Sequence, residues 1–157
     1  MYLRHVSRGG REIIAPEKNR MDEIARARAN DRNRPLVLIV EDQSELRQLY
    51  VQELTISGFD VIEAANGLDA ITHSSAHCPD VILMDLSLPI LDGWEATRRL
   101  KNDSRTAHIP VVALTAHDGS GELQRATRAG CDWFVPKPCP PNDLIEEIRR
   151  VLAGSRP

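Results

Sequence analysis

Beyond Pro35 the chain alternates short unbroken apolar runs with longer stretches in which apolar residues recur every three or four positions. Runs this short, bounded by turn residues, read as strands buried on both faces; the wider spacing reads as one-sided helices. Leu36-Val37-Leu38-Ile39-Val40 is the first such strand. A helix is expected from about Ser44 to Ser57, with Leu46, Leu49, Tyr50, Leu54 and Ile56 on its apolar face and Gly58 as the stop. Val61–Ala64 is a second strand, and Asn66-Gly67 turns into a helix carrying Leu68, Ile71 and Thr72 that ends near Cys78-Pro79. The third strand, Val81-Ile82-Leu83-Met84, ends in Asp85. Trp94, Ala96, Thr97 and Leu100 mark a helix after Asp92-Gly93. Val111–Leu114 ends in Thr115, and a weakly amphipathic helix from Leu123 to Ala129 stops at Gly130. Trp133-Phe134-Val135 leads into Pro136-Lys137-Pro138, and Leu144, Ile145, Ile148, Val151 and Leu152 set the last helix, starting near Asn142-Asp143. Pro136 has no N–H to give a neighbour, which puts the fifth strand at a sheet edge. Five strand–helix units with short links predict an α/β fold, a parallel sheet whose right-handed crossovers cover both faces.

Composition narrows this little: 157 residues, 41% hydrophobic and 27% charged, suit one domain with a tail. No apolar run approaches the roughly 18–20 residues of a membrane span, and the first residues lack the apolar stretch of a secretory signal. Cys78, Cys131 and Cys139 are odd in number and without metal-ligand spacing; Cys131 and Cys139, eight apart and flanking a strand, are expected as two reduced structural thiols rather than a disulfide, in a cytoplasmic protein. Charge is the informative quantity. Residues 1–34 carry nine Lys/Arg against five Asp/Glu, whereas residues 35–157 carry eleven against eighteen. The expectation is a basic, flexible N-terminal extension over 1–34, with a short helix at Met21–Ala29, followed by a folded domain over 35–154. Met21 is an alternative translation start.

The chemistry gathers at the strand ends. In an open parallel sheet the carboxyl edge is where ligands bind, and four strands deliver polar groups there: Glu41-Asp42, Asp85, Thr115 and Lys137. Should the first and third strands be neighbours, three carboxylates converge. At ~4 Å and an effective dielectric of ~20, each like-charge pair costs about 4 kcal/mol. A cluster of that kind persists only with cationic relief. Lys137 supplies one charge, and an all-oxygen set with room for water points to Mg²⁺, or Mn²⁺, for the rest. A carboxylate beside a metal and an ammonium is a competent nucleophile toward a phosphoryl group. The metal would take one phosphoryl oxygen, Lys137 another, and the Thr115 hydroxyl with a backbone N–H the third.

Val40-Glu41-Asp42, Met84-Asp85-Leu86-Ser87-Leu88-Pro89 with Asp92-Gly93, Leu114-Thr115-Ala116 and Phe134-Val135-Pro136-Lys137-Pro138 resemble, in that order, the signature pieces of the receiver domain of two-component response regulators. The resemblance implies a flavodoxin-like (βα)5 fold with strand order 2-1-3-4-5. It implies Asp85 as phospho-acceptor, Asp42 as a direct Mg²⁺ ligand, Glu41 acting mostly through water, and the Ser87 carbonyl as a further ligand. Thr115 and Phe134 match the family's switch pair, a hydroxyl that moves toward the phosphoryl group and a ring that turns inward. Lys137-Pro138 matches a bond that is cis in the family. Ser87 and His117 flank the path of the hydrolytic water, and Cys139-Pro140-Pro141 departs from the commoner, more polar helix start.

Plainer readings stand beside these. Asp85 alone would be a turn or cap residue; its three partners decide for chemistry. His117 could be a solvated loop residue, and His5, His73, His77 and His108 read as surface residues. Trp133 either packs at the start of the fifth strand or anchors an interface. Arg125 and Arg128 read as a solvated helix face. The last helix ends near Ala153, so a stand-alone receiver is expected rather than an enzyme. It would take phosphate from a histidine kinase or histidine phosphotransfer protein and signal through helix 4, strand 5 and helix 5, without DNA or membrane binding. A relay shuttle without its own output is an alternative, as is a phosphorylation-independent adaptor, which failure to bind Mg²⁺ would favour. A phosphohydrolase with an aspartate nucleophile would resemble Asp-x-Asp, but Ser87 stands two residues after Asp85.

Overall fold

All five apolar runs enter one parallel sheet. A computed structural model describes Glu23, Ala27, residues 31–116 and residues 120–154. Its strands are β1 (Leu36–Val40), β2 (Asp60–Ala64), β3 (Val81–Asp85), β4 (Val111–Thr115) and β5 (Trp133–Pro136), in the order β2-β1-β3-β4-β5. Between and after them lie α1 (Ser44–Ile56), α2 (Gly67–His77), α3 (Gly93–Asn102), α4 (Ser120–Ala129) and α5 (Pro141–Leu152). The expected order and the edge position of β5 are what is observed.

Strand residues alternate between two buried layers, because successive side chains point to opposite faces. Val37, Ile39, Leu83, Val112 and Leu114 pack with Tyr50 and Leu54 of α1 and with Leu144, Ile145 and Ile148 of α5. Leu38, Val40, Ile82, Met84 and Ala113 pack with Ala70 of α2, Ala96 and Leu100 of α3 and Ala126 of α4. With both faces covered, β3 and β4 have no exposed position, which is why they read as continuous apolar runs rather than alternating ones.

The amino edge of the sheet is tied together by two aspartates that precede strands. Asp80 accepts a hydrogen bond from the Leu36 N–H at 2.7 Å, and Asp132 one from the Val111 N–H at 2.8 Å. Each joins the start of one strand to the start of another, and each is met by a cation. Arg32 reaches Asp80 at 3.3 Å and donates to the carbonyls of His77 and Cys78; Lys101 reaches Asp132 at 2.7 Å and donates to the Ile109 carbonyl.

Helix starts follow local chemistry. Asn66 caps α2 by accepting from the Asp69 N–H, and Asp92 caps α3 by accepting from the Glu95 N–H. The last helix starts at Pro141, a residue earlier than expected, because a proline suits the first helical position. Glu23 and Ala27, the described positions of the helix expected over 21–29, are both helical. The rest of the expected N-terminal extension as far as Asn30, and His117, lie outside the described residues. Cys131 and Cys139 are free thiols, as expected, and so is Cys78. Trp133 packs, half-buried, against the α1–α5 layer. Arg125 is exposed yet not merely solvated: its guanidinium lies 4.7 Å from the centre of the Trp94 ring, joining α4 to α3.

Candidate phosphoryl-acceptor site

Neighbouring strands bring the acidic residues together. Because β1 and β3 are adjacent, Glu41 and Asp42, just past β1, stand beside Asp85, the last residue of β3. Glu41, Asp42 and Asp85 each offer one carboxylate oxygen, and these oxygens lie within 4.8 Å of one another. Glu41 is fully buried and Asp85 nearly so, while Asp42 opens to solvent. The Lys137 ammonium, immediately after β5, sits 2.6 Å from Glu41 Oε2 and 3.2 Å from Asp85 Oδ2. The Lys137-Pro138 bond is cis.

The electrostatics follow from that crowding. Burial pushes the Glu41 carboxyl above its ordinary value; the hydrogen bond from Lys137 opposes the rise and the charge on Asp85 adds to it. Burial acts against the Lys137 ammonium, but the hydrogen bond to Glu41 and the negative charges of Asp85 and Glu41 outweigh it and hold its pKa above the ordinary value. One ammonium against three carboxylates leaves an excess of negative charge. That donor set, all oxygen and one side open to water, fits a hard divalent cation such as Mg²⁺.

Asp85 is held from several sides. The Ser87 N–H donates to Asp85 Oδ1 at 3.0 Å, and the Gly93 N–H donates to the Leu86 carbonyl at 3.2 Å. A Cβ on Gly93 would stand 2.1 Å from the Asp85 carbonyl oxygen, and one on Gly67 would stand 2.4 Å from the Leu91 carbonyl oxygen. Only residues without a Cβ let α2 and α3 begin this close to the loop that follows Asp85.

Two positioning residues had not been singled out for chemistry in the sequence. Arg47 on α1 donates to the Glu41 carbonyl at 2.6 Å and to Glu63 at 3.2 Å, so it fixes the β1–α1 turn that carries the acidic pair. The Tyr50 hydroxyl donates to the Cys139 carbonyl at 3.1 Å and ties the loop after Lys137 to the same helix. Both sit within a turn or two of the strand end, a spacing that could have marked them.

Thr115 ends β4 and is buried; Phe134 lies on β5, half-buried against the layer of α2, α3 and α4. Thr115 pairs in register with Pro136 and Ala113 with Phe134, so Thr115 and Phe134 share one face of the sheet.

The sequence pattern described as the response regulator receiver domain matches residues 37–149. The polar-differentiation response regulator DivK of Brucella anthropi is 39% identical over 119 residues, covering 76% of this chain and 97% of that protein. DivK of Brucella abortus strain 2308 is 38% identical over the same shares. Among solved structures, chemotaxis response regulator CheY4 of Vibrio cholerae superposes with a TM-score of 0.72 at 27% identity, covering 76% of this chain and 99% of that one. The receiver domain of sensor histidine kinase PA1611 from Pseudomonas aeruginosa PAO1 gives 0.72 at 29% identity, over 76% and 98%; that structure has a magnesium ion coordinated in its active-site cleft.

Proposed function

The chain belongs to the response regulator receiver family, and on that premise we propose that it is a phosphorylation-driven switch, not an enzyme with a substrate of its own, with Asp85 as the acceptor. The observation that carries this reading is the Lys137 ammonium held 3.2 Å from a nearly buried Asp85 carboxylate, in a nest of three acids. Glu41, Asp42, Asp85 and the Ser87 carbonyl would hold Mg²⁺, which when bound neutralises charge and orients the phosphoryl group. Asp85 attacks the phosphorus of a phosphohistidine on a histidine kinase or phosphotransfer protein. A P–O bond forms, the P–N bond breaks, and the imidazole nitrogen leaves with its electron pair. Lys137 faces one equatorial oxygen and the Ser87 N–H, already aimed at Asp85, is placed for another.

Thr115 then turns its hydroxyl toward the phosphoryl group and Phe134, on the same face, turns inward. That biases the surface of α4, β5 and α5 toward a downstream partner, a shift of a two-state equilibrium. Among the described residues no helix is long and apolar enough to cross a membrane; we place the protein's work in the cytoplasm.

The test is incubation with Mg²⁺ and acetyl phosphate followed by intact-mass analysis, beside Asp85→Asn. The expected result is one added phosphoryl group in the parent and none in the variant. Absence of both labelling and Mg²⁺ binding would overturn the reading.

A further inference from the structure

The loop from Asp85 to Gly93 contains one position that is unfavourable in two ways at once. Ile90 has φ +66°, in the left-handed region that β-branched residues rarely adopt, and it is 80% exposed. The Leu91 N–H donates to the Pro89 carbonyl at 2.7 Å, closing a three-residue γ-turn around it, a strained form at positive φ. Exposed Ile56 and Leu123 need no special account, since they lie in ordinary helices and single surface apolar residues are common. Ile90 is different, because glycine or asparagine would fit the same backbone without the clash and without an apolar surface in water. The turn itself is imposed by its flanks: Leu91 is bonded through its carbonyl to the Gly67 N–H at 3.0 Å, and Gly93 is pressed on the Asp85 backbone. Neither the strain nor the exposure brings anything to the isolated fold.

We propose that Ile90 is an apolar anchor for the protein that delivers the phosphoryl group, seating against an aliphatic or aromatic patch beside that donor's phosphohistidine. This rests on Asp85 being the acceptor. The choice of occupant follows from geometry. The Asp85 side chain is only 8% exposed, so a protein-borne phosphohistidine reaches it only when the donor surface covers the surrounding rim. Ile90 belongs to the loop that leaves Asp85, is bonded to its carboxylate at Ser87 and returns onto its backbone at Gly93, so a donor reaching Asp85 has to pass close to this loop. Strain held at a position that contacts a partner is a known use of sparsely populated backbone.

Ile90→Asn and Ile90→Gly keep the turn and remove the anchor. Three quantities are measured on the full chain and both variants: the denaturant midpoint, Mg²⁺-dependent labelling by acetyl phosphate, and the transfer rate from a histidine phosphotransfer domain charged with radiolabelled phosphate. That domain is the fastest donor to the parent within a purified panel. The expected result is a higher midpoint, acetyl phosphate labelling within twofold of the parent, and transfer from the protein donor at least tenfold slower. Unchanged protein transfer would overturn the anchor, and so would an equal fall with both donors, which would assign Ile90 to loop geometry. Self-association of the parent that both variants lose, with transfer intact, would put a second copy of this chain in the donor's place and overturn it too. No labelling of the parent by any donor would remove the acceptor reading and this anchor with it.

Discussion

At the scale of single residues the site is a charge imbalance contained by packing. Asp85→Asn removes one of three converging negative charges while leaving an oxygen to accept the Ser87 N–H. The variant is expected to gain metal-free stability, because two repulsions are relieved against one lost attraction to Lys137. Mg²⁺ should then stabilise it less than the parent, and paired urea melts with and without the ion read both effects. Glu41 sets a pH dependence whose sign is fixed by its raised pKa. Ionised, it weakens the fold; as pH falls from its folded value toward 4.5 the folded state binds the proton first and stability recovers. Metal-free Glu41→Gln should lose that gain on acidification, and a parent with the same slope as the variant would refute it. Lys137 acts oppositely: its contribution is complete below 10.5 and fades as pH rises through its higher folded value. Every side chain in this cluster was legible in the sequence, because acid and base residues at strand ends have few other uses. Arg47 and Tyr50 were not, because their roles depend on bonds to backbone carbonyls that no side-chain pattern encodes.

At the scale of elements the loop after Asp85 is shaped by what its neighbouring helices lack. Gly93→Ala would drive a methyl group onto the Asp85 carbonyl, and a backbone atom cannot move aside as a flexible side chain can. The expected loss is about 3 kcal/mol of stability with slowed acetyl phosphate labelling, read by urea unfolding and mass analysis. A fully stable, fully labelled Gly93→Ala would show that α3 can shift without disturbing Asp85. Asp92-Gly93 announced a turn and a helix start, and both are there; the contact that demands the glycine comes from β3, which periodicity alone does not bring near. The apolar runs gave each strand to within a residue or two, since continuous burial leaves no other explanation. Helix α4 was the least distinct, and it begins at Ser120 rather than near Leu123, because its apolar face is small. The Trp94–Arg125 stack was hidden for a related reason: an arginine on a polar helix face looks the same whether it meets water or an indole.

At the scale of the whole molecule, two apolar layers sandwich the sheet, and Cys131 lies in one of them. Burial pushes its thiol up to about 11. At pH 8 about a thousandth is thiolate, and even that is shielded. Iodoacetamide is expected to modify Cys78 and Cys139 while Cys131 reacts only through unfolding, so its labelling rate in rising urea should follow the global transition; labelling of Cys131 as fast as the others in buffer would contradict the layer assignment. The sheet order could be read only through the resemblance to a family, since pairing between strands distant in sequence leaves no local trace. The ties at the amino edge carry a further consequence. Asp80 and Asp132 lock strand starts to one another at the end opposite Asp85, whereas at the carboxyl end the ties run largely through the charges of Lys137, Glu41 and Asp85, where three carboxylates repel one another. Amide exchange should therefore grade along each strand, slowest near Leu36 and Val111 and fastest toward Val40 and Thr115. The molecule would breathe more readily at the end that carries Asp85, without parting the strands at the other.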